Sequence, residues 1–290
     1  MTKGIESAVR IGCCQIEPKV GRKQENVEKT ILFAEEAAEG GADIILLPEL
    51  ANTGYVFETR SEAFELSEEV PKGETVQAWE SFARKQKAYL VAGISEREEG
   101  RLYNSSVLIG PDGYIGKYRK LHLWDREKLF FEPGDLGLPI FHTPFGRLAM
   151  YICYDMWFPE LARIYALLGV DAILNVTNWV ASENRTEDGR VTEAICVAQA
   201  NLNSIFIAAA DRIGVERGQP FLGRSMIASP TGELLAGPAS YDAEEIVYAD
   251  CNLSEARTRK RKTRLNHIVL DRRTDIYDAL LGYDETPFNW

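Results

Sequence analysis

Two short apolar runs constrain the fold most. Ile44-Ile45-Leu46-Leu47 and Leu148-Ala149-Met150-Tyr151-Ile152 are nearly free of polar positions, as expected of strands buried on both faces. Each leads toward a Pro-Glu pair, Pro48-Glu49 after the first and Pro159-Glu160 after the second. Proline suits the first turn of a helix, and glutamate suits the positive end of its dipole, so a helix is expected from Pro159. A chain that leaves a buried strand for a helix alternates β and α.

The rest of the sequence keeps that rhythm. Strands are expected at residues 9–16, 44–47, 89–94, 105–109, 114–118, 148–153, 172–176, 205–210, 226–228 and 233–235. Helices are expected at 26–39, 75–87, 159–168 and 188–201. Val27, Ile31, Ala34 and Ala38 recur at helical spacing, and Gly40-Gly41 ends that helix. Gly110-Pro111-Asp112-Gly113 and Ser229-Pro230-Thr231-Gly232 are turn signals between strand pairs. Hairpins mixed with βα units predict an α/β fold with mixed sheets. Two sheets packed face to face with helices outside would use every element.

No linker or low-complexity segment interrupts residues 8–253, so residues 1–254 are expected to form one domain. From Glu255 the character changes, with Arg257, Arg259, Lys260, Arg261, Lys262 and Arg264 in a basic run. Residues 255–290 are read as a C-terminal arm of the same fold, salt-bridged to the acidic body or to a second subunit. A nucleic-acid patch is the alternative.

That alternative sits poorly with the whole chain, whose 290 residues carry a net charge of −11. No apolar stretch approaches the ~20 residues of a membrane span, and the first residues lack an apolar signal core. The expectation is a cytoplasmic protein with no membrane and no nucleic-acid partner. The five cysteines, Cys13, Cys14, Cys153, Cys196 and Cys251, show no CxxC spacing. Free thiols, no metal and no cofactor are expected.

Cys153 closes the second apolar run, in the turn before a helix, where α/β enzymes often hold a nucleophile. The bland alternative is a buried thiol acting as a small hydrophobe. A thiol nucleophile needs a base, and three histidines exist: His122, His142 and His267. Only His122 lies near other suggestive residues, which leaves a Cys–His dyad open. Glu49 is the other candidate base. A carboxylate at the end of a buried strand is desolvated, and desolvation raises its pKa toward neutrality. Lys120, ending Gly116-Lys117-Tyr118-Arg119-Lys120, is a cation able to lower the thiol pKa and hold an oxyanion. Glu127 is a weaker acidic candidate. Asp155 is expected to hydrogen-bond the nucleophile turn, and Glu160 and Arg163 to form a helical pair.

Taken in order, Pro48-Glu49, Tyr118-Arg119-Lys120-Leu121-His122 and Ile152-Cys153-Tyr154-Asp155 resemble the three signature segments of the nitrilase superfamily of carbon–nitrogen hydrolases. Gly110-Pro111-Asp112-Gly113, Phe131-Glu132-Pro133-Gly134-Asp135 and Ala228-Ser229-Pro230-Thr231-Gly232 add to the likeness. The resemblance covers residues 8–253. It implies an α-β-β-α sandwich with two mixed sheets that dimerises into a four-layer unit, so a homodimer or higher homo-oligomer is expected. It implies Glu49 as general base, Lys120 and the Tyr154 N–H as oxyanion donors, and Cys153 as nucleophile. Glu127 would position substrate or assist proton transfer. Trp157, Asn178 and Trp179 are expected to line the pocket, with Asn178 or Arg185 meeting a polar group. The expected reaction cleaves a small amide to acid and ammonia through a thioester on Cys153. Small aliphatic nitriles and N-carbamoyl compounds are the alternative substrates, and a non-catalytic binding protein or a thiol redox sensor is the alternative class.

Overall fold

The computed structural model describes residues 8–277. In chain order the elements that matter here are β1 (Ala8–Gln15), α1 (Lys23–Glu39), β2 (Ile44–Leu46), α2 (Arg60–Leu66), α3 (Glu74–Gln86), β3 (Tyr89–Glu98), β4 (Arg101–Gly110) and β5 (Gly113–Arg119). The second half adds β6 (Phe141–His142), β7 (Arg147–Ile152), α4 (Pro159–Leu167), β8 (Ala172–Val176), α5 (Arg185–Asn203) and β9 (Phe206–Ala210). It ends with β10 (Val215–Glu216), β11 (Gln219–Pro220), β12 (Met226–Ala228), β13 (Leu234–Ala236) and β14 (Glu245–Asn252).

Among the described residues, two six-stranded sheets run β14-β1-β2-β3-β4-β5 and β13-β12-β9-β8-β7-β6. Each has three parallel strands at its centre, β1-β2-β3 and β7-β8-β9, and antiparallel strands outside them. Both sheets are therefore mixed.

Strand periodicity explains the layering. Val9, Ile11, Cys13, Ile44 and Leu46 point to the interior shared with Leu148, Met150, Leu174 and Ala208 of the second sheet. Their neighbours Cys14, Ile16, Ile45 and Leu47 point the other way, onto Ala34 and Ala37 of α1 and Val76, Trp79 and Phe82 of α3. Leu161, Tyr165, Cys196 and Ala200 bring α4 and α5 onto the far side of the second sheet. The order of layers is α-β-β-α. Both faces of the central strands are dry, which is why Ile44–Leu46 reads as a continuous apolar run.

Several elements depart from expectation, the two-residue strands β6, β10 and β11 among them. β3 runs on to Glu98 because Ser95 and Glu96 are buried rather than solvated, and Glu96 is neutralised by Lys117 and Arg119 from β5. α2 was not expected; Thr59 caps it by accepting the Glu62 N–H at 3.1 Å. β14 was not expected either, and it closes the first sheet by pairing with β1. The Glu160–Arg163 pair does not form, since Arg163 reaches the Leu202 carbonyl instead, at 2.9 Å. Arg257 holds buried Asp171 through two bonds of 2.9 and 2.7 Å, so the basic run begins on the body of the protein. The expected arm beyond residue 277 lies outside the described residues.

Candidate active site

Glu49 lies three residues beyond the carboxyl end of β2, and Cys153 follows β7 directly. The two sheets face each other, so both parallel centres deliver a reactive side chain to the same end of the interior. The turn after Glu49 packs close on β3. Gly93 donates its N–H to Pro48 O at 3.0 Å and accepts the Ala51 N–H at 2.9 Å. A Cβ at Gly93 would collide with the Glu49 Cα, so glycine is required there.

Cys153 has φ +48°, in the left-handed region that a residue with a Cβ enters at a cost of about 1–2 kcal/mol. The strain is held by bonds on both sides. The Cys153 N–H donates to Asn175 Oδ1 at 3.0 Å. Asp155 accepts from the Ile152 N–H at 3.2 Å and from the Tyr118 hydroxyl at 2.7 Å. Asp155 thus hydrogen-bonds the nucleophile turn. Its other oxygen takes His122, whose Nδ1 lies 2.8 Å away and whose ring stacks on Phe158. No hydrogen bond joins His122 to Cys153. His142 lies exposed on β6, and His267 lies in the segment after residue 255.

The charges converge on Lys120, the first residue after β5. Its backbone is fixed by its own N–H to Asn104 O (2.8 Å) and by the Gly134 N–H to its carbonyl (2.9 Å). Its ammonium is fully buried and lies 2.7 Å from Glu49 Oε1 and 2.7 Å from Glu127 Oε1. Asn104 Nδ2 also donates to Glu49 Oε1, at 2.6 Å. Glu49 Oε2 is buried and has no partner. Glu127 accepts the Tyr55 hydroxyl at 2.6 Å and the Trp124 N–H at 3.2 Å.

Burial and charge shift these groups in a consistent pattern. Burial pushes Glu49 up to about 7, against the opposing pull of Lys120. Burial works against the Lys120 ammonium, but Glu127 and Glu49 outweigh it and hold the group above the ordinary lysine range. Burial also raises the Cys153 thiol well above its ordinary value, and Glu49 adds to the rise. Lys120 pulls the thiol down, as expected, but the pull is outweighed. The resting site is a neutral thiol beside a buried carboxylate.

Cys153 opens into a cavity of about 370 Å³ whose walls include Tyr154, Trp157, Trp179, Trp124, Val180 and Val191. Trp179 is held by its backbone N–H, which donates to Asp211 Oδ1 at 2.9 Å. Asn178 stands behind this wall, where its Nδ2 donates to the Glu49 carbonyl at 2.8 Å. Arg185 is also engaged elsewhere, by Asp242 Oδ1 (2.6 Å) and Phe221 O (2.8 Å). A smaller adjoining cavity of about 70 Å³ is lined by Tyr55, Glu127, Phe130 and again Trp124. Asn104, Tyr55 and Trp124 were not singled out from sequence. The signal for the first was Asn104-Ser105-Ser106, three polar residues against an expected strand.

Residues 10–261 match the family described as Carbon-nitrogen hydrolase. The chain is 42% identical over 270 residues to a nitrilase of Pyrococcus abyssi, covering 93% of this chain and 99% of that protein. It is 32% identical to omega-amidase NIT2 of Homo sapiens, over 88% of this chain and 92% of that one. An N-carbamoylputrescine amidase of Oryza sativa subsp. japonica is 30% identical, covering 96% and 94%. Among solved structures, a carbon-nitrogen hydrolase from Helicobacter pylori G27 superposes with a TM-score of 0.79 at 29% identity, covering 95% of this chain and 99% of that one. An amidase from Nesterenkonia sp. AN1 has the same fold, with a TM-score of 0.77 at 22% identity and coverage of 97% and 99%. The chain belongs to the carbon–nitrogen hydrolases, the nitrilase superfamily. It is an enzyme of that class, a hydrolase of C–N bonds. No helix among the described residues is long and apolar enough to cross a membrane.

Proposed function

We propose that the protein hydrolyses a small amide to the carboxylic acid and ammonia through a thioester on Cys153. The observation that carries this reading is the unpartnered, buried Oε2 of Glu49, on a carboxylate whose other oxygen is held by Lys120 and Asn104. A base raised to about 7 has one free oxygen and a fixed orientation, which is what proton abstraction near neutrality requires.

Glu49 takes the thiol proton as sulfur attacks the carbonyl carbon. The Cys153 N–H is already committed to Asn175, so the oxyanion is assigned to the next N–H, that of Tyr154, and to Lys120. Glu49 returns the proton to the nitrogen, the C–N bond breaks and ammonia leaves. Glu49 then deprotonates a water that attacks the thioester. Sulfur departs and is reprotonated. Glu127, bonded to Lys120, keeps the ammonium in place through both halves.

Nitrile substrates are the second reading, favoured by the Pyrococcus abyssi relative's name. The redox-sensor reading requires an accessible thiol of low pKa. Cys153 is 6% exposed and its pKa is raised, which speaks against it.

The test is ammonia release from simple amides, the matching nitriles and N-carbamoyl compounds. Turnover of amides that disappears in Cys153→Ala supports the proposal, and a substrate acyl mass on Cys153 supports the thioester. Faster turnover of nitriles than of amides replaces it with the second reading. No ammonia from any of them refutes both.

A further inference from the structure

We infer that the Tyr55 hydroxyl is a positioning group for the reaction, fixing the Glu127–Lys120–Glu49 relay, and that Glu216 sets where that hydroxyl stands. The inference rests on the hydrolase reading above.

Glu127 Oε1 takes two donors, the Tyr55 hydroxyl at 2.6 Å and the Lys120 ammonium at 2.7 Å. The same ammonium also bonds Glu49 Oε1 at 2.7 Å. One cation is thus divided between two carboxylates, and the division depends on how well each is satisfied elsewhere. Asn104 satisfies Glu49, and Tyr55 satisfies Glu127. Without the Tyr55 hydroxyl, Glu127 becomes a stronger acceptor and draws Lys120 toward itself. Glu49 then loses part of its countercharge and its orientation.

Tyr55 is itself held from the distant end of the chain. The Tyr55 and Val56 N–H groups both donate to Glu216 Oε2 at 2.7 Å, and the Val20 N–H donates to Glu216 Oε1 at 2.7 Å. Arg212 completes this carboxylate at 3.2 Å. Glu216 is 6% exposed, so these bonds form away from water. The Tyr55 ring meets Phe221 edge-on, with centroids 5.7 Å apart. Gly54 has φ +79°, and a Cβ there would run into Val20 and the Glu216 carboxylate. Backbone, ring and hydroxyl of Tyr55 are each fixed by a separate partner. None of these atoms is required to reach Cys153, so Tyr55 acts through Glu127.

Tyr55→Phe removes the hydroxyl and keeps the ring and its Phe221 contact. On an amide the wild type turns over, kcat is expected to fall about tenfold or more while KM changes less than about twofold. With Lys120 drawn toward Glu127, Glu49 keeps less of the countercharge that favours its ionised form, so the acid limb of kcat/KM is expected to move up by about 1 pH unit. Glu216→Gln keeps the shape of the anchor and weakens its charge-assisted bonds. It is expected to reproduce the same kcat loss and limb shift in smaller measure. A Tyr55→Phe protein with wild-type kcat and an unmoved limb overturns the inference. So does a lowered melting temperature with an unchanged pH profile, which is the mark of a merely structural tyrosine. Absence of amide turnover in the wild type is a different failure, that of the hydrolase reading.

Discussion

Asn104→Leu tests whether Glu49 is the working base. The substitution keeps the branched outline of the side chain and removes the donor 2.6 Å from Glu49 Oε1. A hydrogen bond to a charged group is worth about 1.5–3 kcal/mol, and each pKa unit is 1.36 kcal/mol, so the loss corresponds to about 1–2 units. The bond favours the ionised form, so its removal raises the pKa. Glu49 starts at about 7 and is expected to reach about 8–9. The ionised carboxylate is the active form. The acid limb of kcat/KM for ammonia release therefore moves to higher pH by the same amount. At pH 7 the rate falls roughly 5- to 50-fold, and it recovers above pH 9. Measuring kcat/KM from pH 5 to 10 for both proteins decides it. Parallel profiles with a lower plateau, or a limb moved to lower pH, would show that Asn104 acts through packing and that Glu49 is not the group titrating.

Lys120→Met leaves Glu49 and Glu127 buried without their shared cation and is expected to cost about 3–5 kcal/mol of stability at pH 8. The deficit should shrink at pH 5 as Glu49 protonates, so equal deficits in urea unfolding at both pH values would rule out charge as the cause. Glu49→Gln is expected to lose turnover and to melt higher than the wild type at pH 8. The raised pKa of Glu49 means that the wild type loses stability as pH rises from the ordinary carboxylate range through about 7, while glutamine does not titrate. A gain that failed to shrink toward pH 5 in calorimetry would contradict this linkage. Substrate charge gives a further expectation. Glu187 and Asp188 are the charged wall residues of the larger cavity, and Arg126 is outnumbered by Asp125 and Glu127 in the smaller one. A neutral amide should exceed its ω-carboxylate analogue of equal length by about tenfold or more in kcat/KM at low salt, with the gap narrowing as salt rises. Preference for the carboxylate would refute this view of the cavity.

The parts of the site that were legible in the sequence are those that end an apolar run. Glu49 and Cys153 each follow a strand with two dry faces, and a polar group in that place invites a chemical explanation. Lys120 and Glu127 became legible through their local motifs. Asn104 and Tyr55 did not, because their partners lie 55 and 72 residues away and are set by register. The β3 boundary was hidden for a related reason. Ser95 and Glu96 look like a strand entering solvent, yet Lys117 and Arg119 of β5 neutralise Glu96 two strands away. β14 carries Glu245 and Asp250 and pairs with a strand from the other end of the sequence. Local composition holds no record of a countercharge or a strand partner delivered from that distance.

The same burial explains why a carboxylate can serve where a histidine is the usual expectation. Desolvation raises both the Cys153 thiol and Glu49. Transfer of the proton from sulfur to Glu49 moves one negative charge within a single buried site and creates no new one. The desolvation cost is carried before and after the transfer and largely cancels. A neutral histidine taking that proton would separate two new charges in the same dry space, at the full cost of burying both. Lys120 serves the carboxylate arrangement in every state, since its ammonium faces Glu49 at rest and remains a fixed countercharge when the negative charge passes to sulfur and then to the oxyanion. His122 is left to Asp155, behind the turn it helps to hold. The high thiol pKa then has a mechanistic consequence. Free thiolate is scarce, so proton transfer to Glu49 must accompany attack on carbon rather than precede it, and small alkylating agents without a carbonyl should react slowly with Cys153.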